Sequence, residues 1–127
     1  MSALLRPKEV AMKSYLAIFT GSPSALARWE TLPEPERQQR QTEGVAAWKK
    51  WATDNAASIV VMGGPLSRTK LISKRGITDV RNNLGAFTVV QAESQEAAAR
   101  LFLNHPHFMI FPGEGVEVME VLPIPVG

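Results

Sequence analysis

The chain contains no cysteine, which excludes disulfides, thiol nucleophiles and cysteine-ligated zinc. It has two histidines among its 127 residues, and they stand two apart. Imidazole chemistry therefore has a single segment to work from. No apolar run approaches the roughly 18 residues of a membrane-spanning helix. The opening "MSALLRPKEVAM" is too briefly apolar for a secretory signal, and no small-residue cleavage site follows it. The expected location is the cytoplasm, with no membrane partner. Met12 stands directly before the first strand-like run, so residues 1–11 are expected to be a flexible extension and residues 12–127 the folded domain.

Strong charge of one sign is also missing. Lysine and arginine number 14 against 12 acids, a formal net charge of +2. Five of the basic residues, Arg68, Lys70, Lys74, Arg75 and Arg81, lie in one segment. That is a local patch and not by itself a nucleic-acid-binding surface. Gly63-Gly64-Pro65 lacks the spacing of a phosphate-binding loop, and no helix pattern follows it. There is no G-x-S-x-G elbow. Glu117 and Glu120 fall on opposite faces of a strand pattern, so no acid pair for glycoside chemistry is implied. No cofactor is expected.

A hydrophobic content of 45% with 20% charged residues fits one soluble globular domain. "KSYLAIF" reads as the first strand and is broken by "TGSPS". "ALARWETL" suggests a helical turn. The segment from Thr31 to Ala56 reads as a long helix, with Thr31 and Glu34 at capping-box spacing and an apolar stripe of Val45, Trp48, Ala52 and Ala56. "SIVVMGG" is a second strand. "PLSRTKLISKRGITDVRNN" is a polar, basic connection with the character of a β-ribbon and a turn at Arg75-Gly76. "GAFTVVQA" is the third strand. "ESQEAAARLFLN" is a short helix with Ser94 as N-cap, and "GVEVMEVLPI" is the last strand. The order β-α-β-β-α-β predicts an α+β, ferredoxin-like fold: a four-stranded antiparallel sheet with two helices on one face.

Two helices cover one face only, yet the first two strands are apolar on both. A sheet with one wet face should alternate apolar and polar residues. A second copy of the chain is the expected cover, two sheets face to face making a dimeric α/β barrel. This topology also brings three long, polar connections to one end of the sheet: Thr20 to Leu32, Pro65 to Leu84, and Asn104 to Glu114. Long loops are where function is usually carried. The expected site lies there, with the N-terminus of the long helix favouring an anionic small molecule.

His105 and His107 flank Pro106 in that third connection. Three roles are open: ordering the loop, which comes first; proton transfer, with Asp79 or Glu114 as partner carboxylate; or metal binding with Glu114. No third metal ligand is fixed by spacing, and no metal is assigned. If a reaction occurs, His105 and His107 are the catalytic candidates. Arg68, Lys70 and Arg81 would hold negative charge, and Asn82 or Asn83 would orient the ligand. For Trp29, Trp48 and Trp51 packing is the favoured role. Trp48 is read as a core residue that also faces the ligand, and Trp51 as lying to the side of the stripe.

With this element order, "MGGPLSRTK", "GAFTVVQAESQEAAARLFLNHPHF" and the closing "VEVMEVLPI", the chain resembles the YCII-related (DGPF-like) family from about Met12 to Pro125. The resemblance implies a ferredoxin-like domain dimerising as an α/β barrel. It also implies a histidine near the start of the first helix paired with an aspartate after the second strand. This chain departs there, because Pro33 to Asn55 contains no histidine. Two functions stand: a homodimer binding a polar or anionic small molecule at the loop-rich end, with or without catalysis, and a non-catalytic regulatory or protein-interaction module.

Overall fold

The computed structural model describes residues 11–126. The expected extension at 1–11 lies, but for Ala11, outside the described residues. Six strands and four helices follow in the order β1 (Lys13–Gly21), α1 (Pro23–Glu30), α2 (Glu34–Asp54), β2 (Ile59–Pro65), β3 (Thr69–Ser73), β4 (Gly76–Val80), β5 (Leu84–Ala92), α3 (Gln95–Arg100), α4 (Pro106–Met109) and β6 (Gly113–Glu120). Four strands form one sheet in the order β2-β5-β1-β6, with every neighbouring pair antiparallel. The expected α+β, four-stranded antiparallel arrangement is present. Among the described residues β3 and β4 pair only with each other, as the ribbon-like composition predicts.

The core follows from strand alternation. Tyr15, Ala17 and Phe19 are buried on β1, and their partners on β5 include Val90 and Thr88. Trp51 of α2, Ala98 of α3 and Phe102 close over them. The other face carries Leu16, Ile18, Phe87 and Val89, with Val61 and Met119 in register beside them. Val61 and Met119 remain 47% and 42% exposed. The chain after β6 is apolar and exposed as well, from Val121 to Val126.

Several local expectations change. The segment after β1 is a full helix, α1, because the Ser22 hydroxyl caps it by accepting from the Ala25 N–H at 3.1 Å. The Thr31–Glu34 capping box does not form. Thr31 ends α1 and donates its hydroxyl to the Arg28 carbonyl at 2.6 Å, so α2 begins after Pro33 with no side-chain cap. Trp51, expected beside the stripe, is in the core, and its indole N–H donates to the Leu101 carbonyl at 2.7 Å. Ser94 does cap α3, accepting from the Ala97 N–H at 3.0 Å.

Two glycines are set by close approach. Gly63 has φ +69°, and a Cβ there would overlap the Phe87 carbonyl across the sheet. It lets β2 bulge against β5, where the register shifts between Val61 and Gly64. Gly44 is buried in α2, and a Cβ would lie 2.5 Å from the Phe111 ring. The helix propensity lost at Gly44, up to about 1 kcal/mol, is offset by that aromatic contact.

Candidate functional site

The three connections do meet. The Gly21 N–H donates to the Asn83 carbonyl at 2.9 Å, and the Thr20 hydroxyl donates to the Gly115 carbonyl at 3.3 Å. A His107 ring nitrogen, Nε2, lies 2.7 Å from the Thr20 carbonyl. The segment Asn104 to Pro112 is not an extended loop. Asn104 takes a positive φ of 57°, which asparagine tolerates, and the chain then makes the single turn α4. The two rings consequently do not sit side by side as in an extended segment.

His105 is fully buried. Its Nδ1 accepts the His107 backbone N–H at 3.0 Å and so caps α4. The proton of the neutral ring is then on Nε2, which finds no hydrogen-bond partner among the described residues. What surrounds the ring is aromatic: Trp48 and Trp51 stand perpendicular to it at centroid distances of 4.5 and 4.6 Å, and Phe19 at 5.0 Å. Indole faces are weak acceptors for an N–H. Burial, then the neighbouring His107, push the His105 pKa down to about 4. It is a neutral structural residue at neutral pH.

His107 differs. A carbonyl can only accept, so the contact with Thr20 places a proton on Nε2 and leaves Nδ1 as a lone-pair acceptor. Nδ1 has no hydrogen-bond partner among the described residues. Burial lowers the His107 pKa, and the hydrogen bond to Thr20 opposes that shift. Gly113 makes the position available, since a Cβ there would overlap both the His107 ring and its carbonyl. The ring lies edge-on to Phe19 at 5.2 Å.

His107 lines a cavity of about 530 Å³ between α2 and the ends of β2 and β5. The other walls are Val45, Trp48 and Lys49 of α2, Met62 to Pro65 of β2, Gly85 to Thr88 of β5, and Phe111. Volume and apolar lining both suit a small organic molecule. The Thr88 hydroxyl is already committed to the Met62 carbonyl at 2.9 Å.

The predicted site residues therefore fall into two groups. His107 and Trp48 share the cavity, with His105 behind them. Arg68, Lys70 and Arg81 gather on the β3–β4 ribbon beside Asp79 and do not line the cavity. Lys70 pairs with Asp79 at 2.6 Å across that ribbon. Asn82 bridges the ribbon's base, donating to the Thr69 hydroxyl at 3.0 Å and accepting from the Leu84 N–H at 2.9 Å. Asn83 contributes its backbone carbonyl to Gly21. Glu114 accepts the Ser22 hydroxyl, so neither candidate carboxylate meets a histidine. Among the described residues there is no cluster of three metal-ligating side chains and no helix long and apolar enough to cross a membrane. Sequence reasoning missed Lys49, Phe111, Thr88 and the permissive Gly113. Only Lys49, one residue after Trp48, had a signal to offer.

No protein-family model matches the chain, and no curated protein matches its sequence. Among solved structures, the chain is similar to 5-chloro-2-hydroxyhydroquinone dehydrochlorinase from Burkholderia phenoliruptrix, in complex with 2,5-dihydroxybenzoquinone. Identity is 21% and the TM-score 0.49, over 83% of this chain and 89% of that one. That likeness assigns no substrate and no residue role here.

Proposed function

We propose that this chain is a small-molecule-binding domain whose ligand occupies the cavity between α2 and the ends of β2 and β5. The observation that carries this reading is His107: a neutral imidazole pinned by Thr20, with its Nδ1 lone pair uncommitted, in the wall of an apolar pocket. A hydrogen-bond donor on the ligand would meet it there. If a reaction follows, His107 is the proton acceptor, and His105 is the group that orders it. The ligand is more apolar than a basic-loop site would take, and the ribbon arginines lie outside the pocket.

A thermal-shift screen of metabolites on wild type and His107→Ala tests this. At least one compound class should stabilise the wild type and not the variant. A ligand at a hundred times its Kd adds about 2.7 kcal/mol. If no class shifts the wild type, the binding reading fails.

The same proposal includes a homodimer and membership of the YCII-related family, in the cytoplasm. The apolar face bearing Leu16, Ile18, Val61, Val89 and Met119 supports stacking of two sheets into an α/β barrel. Light scattering should return twice the chain mass at micromolar concentration, and a single-chain mass would overturn the dimer. A protein-interaction module remains the second reading, favoured by the exposed apolar stretch after β6.

A further inference from the structure

The pocket's polar groups restrict the chemistry of its occupant. We propose that the ligand has three parts: a flat apolar body, a hydroxyl or N–H donor at one end directed at His107 Nδ1, and an anionic group at the other end reaching Lys49. This rests on the reading of the cavity as a binding site and deepens it.

Four side chains with a polar nitrogen or oxygen line the cavity: Trp48, Thr88, His107 and Lys49. The Thr88 hydroxyl donates to the Met62 carbonyl, so its proton is spent. His107 spends its Nε2 proton on Thr20 and keeps a lone pair. Lys49 is exposed on α2 and has no ion pair among the described residues, whereas its neighbour Lys50 pairs with Asp54 at 2.6 Å. The lining side chains thus offer acceptors in His107 and the Thr88 oxygen, a neutral donor in the Trp48 indole, and a single cation, Lys49. An anion directed at His107 would face a lone pair and be repelled. Directed at Lys49 it is paired. A donor directed at Lys49 would meet only N–H groups, and directed at His107 it is satisfied. The charge of Lys49 therefore draws the anionic group to its end of the pocket, and the His107 lone pair favours the donor.

The body is set by the walls. Gly63, Gly64 and Gly85 supply bare backbone along one side, and Trp48 and Phe111 supply rings. Backbone without side chains leaves room for a flat molecule, and rings stack on one. A cavity of about 530 Å³ holds a bicyclic aromatic.

Fluorescence titration with a matched set of naphthalenes tests the assignment: hydroxynaphthoate with its groups at opposite ends, its methyl ether methoxynaphthoate, and naphthol. The wild type is expected to bind hydroxynaphthoate roughly tenfold tighter than either of the other two. His107→Phe should abolish the preference over the methyl ether and keep the preference over naphthol. Lys49→Gln should do the reverse. Lys49 is exposed, so that variant will fold, and the methyl ether tests the donor half in the unaltered protein. If methoxynaphthoate or naphthol binds wild type as tightly as hydroxynaphthoate, the three-part ligand is overturned while the cavity stands as a binding site. If none of the three binds, the three-part ligand is overturned, and the binding reading falls with it only if the metabolite screen also shifts nothing.

Discussion

His105→Ala is expected to lower stability by about 3–4 kcal/mol, the range for emptying a buried aromatic-sized site. The side chain is fully enclosed and touches elements far apart in sequence: Phe19 on β1, Trp48 and Trp51 on α2, and Phe102 after α3. Alanine removes those contacts and also strips the cap from α4, leaving the His107 N–H without its acceptor. That loss alone is worth about 1 kcal/mol. His105→Phe fills the space and loses only the cap, so it should cost about 1–2 kcal/mol. Urea denaturation of the three proteins checks this. A cost below about 1 kcal/mol for alanine would mean that the ring does not anchor the site.

The two histidines thus divide the roles that the sequence left open. His105 orders the turn, and His107 lines the cavity with its Nε2 held by the Thr20 carbonyl. Residue type and spacing could not separate them, because the difference arises from α4. One turn of helix after Asn104 sends one ring inward and the other towards Thr20. The strands were legible because short apolar runs such as those of β1 and β2 are bounded by turn residues. The β3–β4 ribbon was legible from its turn at Gly76, which takes φ +102°.

The register of α2 was legible in part, since Trp48 and Ala52 of the expected stripe do pack against the core, and Gly44 is the reason the rest was not. The buried side of α2 runs through Gly44, half-buried Trp48 and buried Trp51. A glycine gives no hydrophobic signal, so the apolar stripe appeared to begin at Val45, which is 42% exposed and lines the cavity. The helix is rotated accordingly. Trp51 goes to the core, and Trp48 with Lys49 comes to the pocket. The basic cluster misled for a different reason. Convergence of loops at one end of a sheet does not bring their side chains together, and the ribbon satisfies Lys70 with its own Asp79.

Stability should fall by about 3 kcal/mol between neutral pH and pH 4, with His105 as the main cause. An unfolded histidine titrates near 6.5. In the folded chain the His105 pKa is about 4, lowered first by burial and then by His107. A group depressed in the native state leaves the unfolded state binding more protons between the two values. Its contribution is complete above about pH 6.5, shrinks as the pH drops, and is gone below about pH 4, where both states are protonated. At about 1.4 kcal/mol per unit of difference the total is about 3 kcal/mol. The geometry gives the same sign, since a protonated Nδ1 would turn from acceptor to donor while facing the His107 N–H. His107, also lowered by burial, adds in the same direction. The control is His105→Phe, which removes the titrating group and keeps the volume. Urea midpoints measured from pH 7.5 to 4 should slope steeply in the wild type and much less in that variant. Equal slopes would mean that His105 is charged or solvated in the folded chain, and the sealed aromatic cage around it would then be wrong.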